Sequence, residues 1–442
     1  MSEIRILTEH MDRDDLVQIG VYEELGGYRA LRKALFDMEP EQVLSELEQS
    51  GLRGRGGAGF SMGKKASFIP KGTMDKYLCC NADESEPGAF KDRLLMQKNP
   101  HLLVEGCIIG AIAAGANKGF IFIRGEYTHQ ADLLDAAVAE AYDRGYLGDR
   151  ILDSDHSFSL VVHRGQGAYI CGEETALLDG LEGKRGNPRL KPPFPANQGL
   201  YQGPTLINNV ETLCCVPLII ERGVDWFRSM GTEQSTGPKI VSVSGDVQRP
   251  GNYEVELGIT VRDVIYGLAG GPPEGREVKC FFPGGSSAPV LTAEHLDLPL
   301  TYEDMAEAGS MLGTASVIVV DDSQPLVPLA LRLAEFYRHE SCGKCVPCRE
   351  GTNWTVKMLE RIDEGEATPM DLEIMAQVQE NIIGNCLCVL GDSMAMPIGS
   401  MIKHFREEFE QHIAEARERR QLEEAAAFSA QELAASVEAG PA

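Results

Sequence analysis

Three cysteines at two-residue intervals, Cys342, Cys345 and Cys348 in "SCGKCVPCREG", constrain this chain more than any other feature. Three sulfurs around one short loop suit three corners of an iron–sulfur cube. A tetrahedral zinc site more often uses two separated CxxC pairs. A ferredoxin would continue at once with a fourth cysteine and a proline, whereas "CREGTNW" follows here, so the fourth ligand must come from elsewhere. "GNCLCVLGD" supplies Cys386 and Cys388 after a helical stretch. One [4Fe–4S] cluster closed by a distant cysteine is the expectation, with structural zinc as the alternative.

A chain of 442 residues exceeds one ordinary core, so about two to four domains are expected. The N-terminal "MSEIRILTEHMDRDD" is charged throughout and has no apolar core of a secretory signal. The longest apolar run, "GCIIGAIAAGA" at 106–116, is shorter than the roughly 20 residues that span a bilayer. A cytosolic, reduced protein is expected, with its twelve cysteines as thiols or metal ligands. Cys107, Cys214 and Cys215 lie in apolar stretches and read as core. A formal net charge of −26 argues against a nucleic-acid surface, which needs a cationic footprint.

Hydrophobic periodicity divides the chain into four parts. Up to about residue 236, strand signals ("KYLCCN", "GFIFIRG", "FSLVVHRG") alternate with helical ones ("PEQVLSELEQSG", "THQADLLDAAVAEAYDRG"). That alternation predicts an α/β layer with a largely parallel sheet. Residues 237–325 read as hairpin, helix and strands, a small α+β module. Residues 326–420 are helical and carry the cysteine motif. Residues 421–442 are Ala/Glu-rich with little to bury, and read as a solvated or fraying tail. No internal repeat is evident.

"GLRGRGGAGFSMGKKASF" at 51–68 places Gly54, Gly56 and Gly59 in a GxGxxG pattern. A helix pattern precedes it, which weakens a dinucleotide-fold reading. Its backbone amides, with Arg53, Arg55, Lys64 and Lys65, still suit a phosphate-bearing cofactor; a merely flexible loop is the alternative. Phe60 and Phe68 flank it and could stack on a planar ring. "NADESEPGAFKDR" follows the strand "KYLCC", at the end where α/β sheets bind ligands; a metal-binding cluster or a plain polar turn are the alternatives. Asn208 and Asn209 in "LINNVETL" suggest a polar ligand or a structural cap.

Taken in order, "GLRGRGGAGF", "NADESEPG", "GAYICGEETAL", "NPRLKPPFP", "INNVETL", "ESCGKCVPCREG" and "CVLGD" resemble the NADH-binding flavoprotein subunit of bacterial respiratory complex I, over about residues 20 to 412. The resemblance implies a flavin-binding α/β domain (1–236, with an N-terminal extension), a β-grasp SLBB-type α+β domain (237–325) and a C-terminal helical iron–sulfur domain (326–420). It implies FMN, one [4Fe–4S] cluster, and NADH as hydride donor, with electrons leaving singly toward quinone. By the same resemblance, Gly54, Arg55, Gly56, Gly57, Ala58, Gly59 and Lys65 cradle the flavin phosphate and ribityl chain. Asn81, Asp83, Glu84, Tyr169, Gly172, Glu173, Asn208, Asn209 and Thr212 complete that pocket. Phe60, Phe68 and Phe194 hold the NADH rings, Glu86 and Glu174 face its polar groups, and Cys342, Cys345, Cys348 and Cys388 ligate the cluster. No side chain is expected to act as a general acid or base, because the cofactors carry the chemistry.

The sequence departs from the family in places. Ala66 stands where the family usually has Trp, "MAMP" at 394–397 replaces Trp-Pro, and Cys386 neighbours the fourth ligand. Implied partners are a thioredoxin-like [2Fe–2S] subunit and a large multi-cluster subunit, in a peripheral arm on the cytoplasmic side of the membrane. The same module serves in NAD-reducing hydrogenases and formate dehydrogenases, often fused to ferredoxin or thioredoxin-like segments; the lack of such segments favours complex I. A non-enzymatic scaffold with a structural zinc is the remaining alternative.

Overall fold

The computed structural model describes residues 3–72 and 74–438, in two compact units, 1–322 and 323–442. The first unit holds a four-stranded sheet of β1 (Tyr77–Ala82), β2 (Lys118–Ile123), β3 (Ser159–Arg164) and β4 (Thr205–Asn209), ordered β3-β2-β1-β4. Every pairing is parallel, as the alternation of elements predicts. The chain adds β2 and then β3 on one side of β1 and returns to place β4 on the other. The β1/β4 boundary is therefore the topological switch point, where open α/β sheets leave a crevice beyond the strand carboxyl ends. Asn81 and Asn209 are register partners there.

The run at 106–116 belongs to a buried helix, Pro100–Ala114, all of whose residues are buried. A helix apolar on every side has no solvent face to keep, so it forms the floor of the unit. Its one carboxylate, Glu105, is satisfied by Tyr22 Oη at 2.6 Å, Tyr28 N at 2.9 Å and Leu31 N at 3.0 Å. Cys107, Cys214 and Cys215 are buried in the same core.

The second sheet comprises β5 (Pro238–Gly245), β6 (Gly251–Glu256), β7 (Val278–Phe282), β8 (Leu291–Thr292) and β9 (Ser316–Asp321), ordered β6-β5-β9-β7-β8. The hairpin predicted from "PKIVSVSGDVQRPGNYEVELG" is the antiparallel β5/β6 pair. Glu254 on β6 fastens the N-terminal arm, accepting from the backbone of Ile6 at 2.9 Å, Leu7 at 2.7 Å and Thr8 at 2.9 Å.

The second unit is helical: Leu326–Glu340, Val346–Asp363, Pro369–Ile382, Leu390–His404 and Arg406–Glu438. Val356, Leu359, Leu372, Met375, Met394, Ile398 and Phe409 are buried in its core. Residues 421–438, expected as a solvated or fraying tail, continue the last helix. Residues 421–432 are exposed along it, so local helix propensity rather than burial holds them. Residues 439–442 lie outside the described chain.

Candidate active site

Loops from β1, β3 and β4 and the glycine loop supply the expected flavin residues. The loop is closed on itself: Gly54 N donates to Phe60 O at 2.8 Å, and Arg53 bridges to Ser61. It is also built upon from the second sheet's module. Tyr302 Oη donates to Gly54 O at 2.9 Å, the Arg53 guanidinium lies 4.1 Å from the Tyr302 ring centroid, and Arg53 pairs with Glu303. A Cβ on Gly56 would sit 2.8 Å from Asn209 Cβ, so only glycine allows this approach to the switch point. Gly57 has φ +147°, and a Cβ there would meet nothing within 4 Å. Its outer side is open to an approaching group.

At the switch point, Asn81 Nδ2 donates to Gly172 O at 2.9 Å and Asn81 Oδ1 accepts from Asp83 N at 3.2 Å, tying the β1 end to the 167–173 loop. Thr212 Oγ1 accepts from Arg55 N at 2.8 Å. Asn209 caps the helix Val210–Arg222, accepting from Glu211 N at 3.0 Å, and donates to Asp92 Oδ2 at 2.6 Å. Glu84 caps the helix Lys91–Lys98, accepting from Asp92 N at 2.8 Å and Arg93 N at 2.9 Å. Burial and the Asp92 charge push its carboxyl up to about 7. Arg55 is fully buried; its Nη2 donates to Thr236 O at 2.6 Å, while Nε and Nη1 have no hydrogen-bond partner.

A second set of polar groups lies around the 169–194 segment. Tyr169 Oη donates to Glu86 Oε2 at 2.7 Å, and Ser287 N to Glu86 Oε1 at 2.8 Å. Loss of water raises the Glu86 carboxyl, against these hydrogen bonds. Glu173 caps the helix Glu174–Leu181 through Thr175 N at 2.8 Å and Ala176 N at 2.9 Å. Glu174 sits between two ammonium groups, Lys65 Nζ at 2.8 Å and Lys191 Nζ at 2.8 Å. Burial opposes its charge, yet the lysines hold its carboxyl at about 2. Phe60, Phe68 and Phe194 are about half exposed, at 53%, 47% and 54%, and the Phe60 and Phe68 ring centroids are 6.2 Å apart. Side by side, the Phe60 and Phe68 rings offer apolar faces suited to stacking on a planar group.

In the second unit, Cys342 and Cys345 occupy the loop before the helix Val346–Asp363, and Cys348 lies in its first turn. Cys386 and Cys388 lie between the helices Pro369–Ile382 and Leu390–His404. Ser341 Oγ is 3.2 Å from Cys348 Sγ. The neighbouring Cys386 thiol, with help from Ser341 and Cys345 and against burial, lowers the Cys348 thiol to about 7, while Cys386 Sγ itself donates to Ile382 O at 3.5 Å. Among the described residues no three His, Cys, Asp or Glu gather around a single-ion position. A four-iron cube joins thiolates spread more widely than one ion does.

Known families meet this geometry at several points. The Nuo51 FMN-binding domain matches residues 47–218, the SLBB domain 240–291, and the NADH-ubiquinone oxidoreductase-F iron-sulfur binding region 328–412. The NADH-quinone oxidoreductase F 2 subunit of Rhizobium meliloti is 52% identical over 413 residues, covering 93% of this chain and 98% of that protein. The chain belongs to the family of NADH-quinone oxidoreductase F subunits. The Escherichia coli F subunit is 47% identical, covering 90% of this chain and 91% of its own. Among solved structures, an NAD+-reducing [NiFe]-hydrogenase in the H2-reduced state superposes with TM-score 0.81 at 36% identity, covering 89% of this chain and 66% of that one. The chain thus spans about two thirds of that hydrogenase chain's length.

As a member of this family, the chain carries FMN and one [4Fe–4S] cluster and takes NADH as substrate. The residues present fit a flavin. Asn208 on β4 is 6% exposed and its Nδ2 has no hydrogen-bond partner. An unpaired buried donor costs about 1–3 kcal/mol, which an acceptor-rich ligand at the switch point would relieve. The thiol set fits the cluster in its chemistry, since Cys345 and Cys386 both bear on Cys348 and bring soft sulfur donors of two segments together.

Sequence reasoning missed several neighbours. Lys191 stands in a motif read only for Phe194, and Tyr302 and Glu303 reach the glycine loop from about 250 residues away. Lys91, Asp92 and Glu211 lie inside or beside quoted motifs, and only their partners reveal a role. No local pattern could have marked Tyr302.

Proposed function

We propose that this chain is the electron-entry subunit of an NADH:quinone oxidoreductase. The observation that carries the reading is the pairing, in one family-matched chain, of an open glycine cradle at a switch point with a five-thiol segment. Bound there, FMN would supply hydride acceptance and single-electron release, and the cluster would supply one-electron transfer. The chain's own residues bind and orient. Backbone amides of residues 54–59 hold the phosphate, and Asn81, Asp83, Asn208, Asn209 and Thr212 line the isoalloxazine and ribityl groups. Phe60, Phe68 and Phe194 take the NADH rings, with Glu86 and Glu174 at its polar groups. Cys342, Cys345, Cys348 and Cys388 ligate the cluster.

A single cluster needs an onward acceptor. The partners are a thioredoxin-like [2Fe–2S] subunit and a larger multi-cluster subunit, in an arm at the cytoplasmic face of the membrane. Among the described residues no helix is long and apolar enough to cross a membrane, which agrees with a peripheral position. The purified yellow-brown chain should reduce ferricyanide with NADH and leave quinone unreduced. Quinone reduction by the single chain at the rate of the assembly overturns the partner assignment. The hydrogenase likeness favours a second reading, the flavin subunit of an NAD-reducing hydrogenase. Copurified subunits distinguish the two.

A further inference from the structure

Beneath the glycine loop a set of buried charges forms one connected network. Lys91, Asp92, Glu211 and Lys239 are each no more than 3% exposed, and the fully buried Arg55 bears on Glu211 and Lys239 through its charge alone. Lys91 Nζ lies 2.7 Å from Asp92 Oδ1 and 2.9 Å from Glu211 Oε2. Lys239, on β5, donates to the same Glu211 oxygen at 2.6 Å, and Ile240 N donates to Glu211 Oε1 at 2.8 Å. Asp92 Oδ2 accepts from Asn209 Nδ2 at 2.6 Å. An unbroken chain of contacts therefore runs from the second sheet to the amide at the switch point. Glu211 also stands between Asn209 and Thr212 in sequence, at the first turn of its helix.

Such a network is a poor adhesive. Desolvating a buried ion pair costs several kcal/mol, and apolar side chains of similar size hold two sheets together as well. On the same strand the apolar Ile240 is buried in the core of the first sheet and Val241 in that of the second. Resting on the flavin placement above, we propose that Lys239 is a positioning residue that sets the charge at the flavin pocket, acting through Glu211, Lys91 and Asp92 on Asn209. Three charged groups face it: Glu211 from the helix Val210–Arg222, Lys91 from the helix Lys91–Lys98, and Arg55 from the glycine loop. Burial, with the like charges of Lys91 and Arg55, brings the Lys239 ammonium down to about 7 against the pull of Glu211. Burial raises Glu211, but Lys239, Lys91 and Arg55 overcome it and hold the carboxyl at about 2. Within this pair the charged form is disfavoured at Lys239 and favoured at Glu211. A cation in this water-poor site favours the electron-rich form of a bound flavin.

The test is a redox titration of the FMN in the holoenzyme at pH 6 and pH 9. Lys239→Met removes a positive charge that is present below about pH 7, so the flavin midpoint potential should fall at pH 6 and hardly move at pH 9. The double variant Lys239→Met/Glu211→Gln removes one charge of each sign and should return the pH 6 potential toward that of the wild type. A role in packing alone would displace the double variant further than the single. Should Lys239→Met fail to accumulate, Lys239→Arg gives the converse: a cation that keeps its charge should raise the potential at pH 9 and leave pH 6 unchanged. Lys239→Met unchanged at pH 6, a double variant displaced beyond the single, or Lys239→Arg unchanged at pH 9 overturns the proposal. Failure of the underlying flavin placement shows separately, as flavin retained by Gly57→Val.

Discussion

Glu174 is held between Lys65 and Lys191 and stays ionised well below neutral pH. A carboxylate at the adenosine ribose accepts a hydrogen bond from the 2′-OH of NADH and repels the 2′-phosphate of NADPH. Repulsion plus a lost hydrogen bond is worth about 2 to 4 kcal/mol, roughly 30-fold to 1,000-fold. Glu174→Gln should raise kcat/KM for NADPH accordingly with FMN content unchanged. Because the carboxyl titrates near 2, the wild-type preference should stay flat between pH 6 and pH 9. Steady-state kinetics showing the variant as selective as wild type would move the role to Glu86. A second residue-scale expectation separates the two neighbouring thiols. Cys386 lies against Cys348, yet the family motif "CVLGD" assigns the ligand to Cys388. Cys388→Ala should abolish the EPR signal of the reduced cluster, and Cys386→Ala should keep it. The reverse pattern would reassign the fourth ligand.

At the scale of elements, the glycine loop shows both what its sequence declares and what it hides. Glycines beside arginines and lysines announce a close approach to an anion, and Gly57 does leave an open side. A valine there would place a β-branched side chain at φ +147° and in the space a phosphate would enter. Gly57→Val should therefore yield folded protein without FMN, read by flavin absorbance against circular dichroism. Stoichiometric flavin in this variant would remove the phosphate from the loop. The strand signals at 76–81, 119–125 and 158–165 were legible because runs of Ile, Val, Leu, Phe and Cys end in polar turns. β4 was not: five residues of "TLINN" end in two amides, and the strand is evident only through its pairing with β1. The tail is solvated, as its composition implies, yet helical. Low hydrophobicity reads as fraying, but Ala and Glu are strong helix formers and the preceding helix supplies the nucleus.

For the whole molecule, the order of modules was legible because each has its own period: two for strands, near 3.6 for helices, and three for the cysteines. Contacts that join distant segments carry no such period. Glu254 on β6 is one of them, since "NYEVE" reads as an ordinary half-exposed strand and says nothing of the N-terminal arm it clasps. That clasp also bears on how the chain is made. The backbone N–H of Ile6 leaves the ribosome 248 residues ahead of the carboxylate that will receive it. Until then the arm is a nascent segment with Leu7 uncovered. Emergence of the β5/β6 hairpin is the step that lets it dock, so synthesis stalled before residue 254 should leave the arm open to protease and synthesis stalled well beyond it should not.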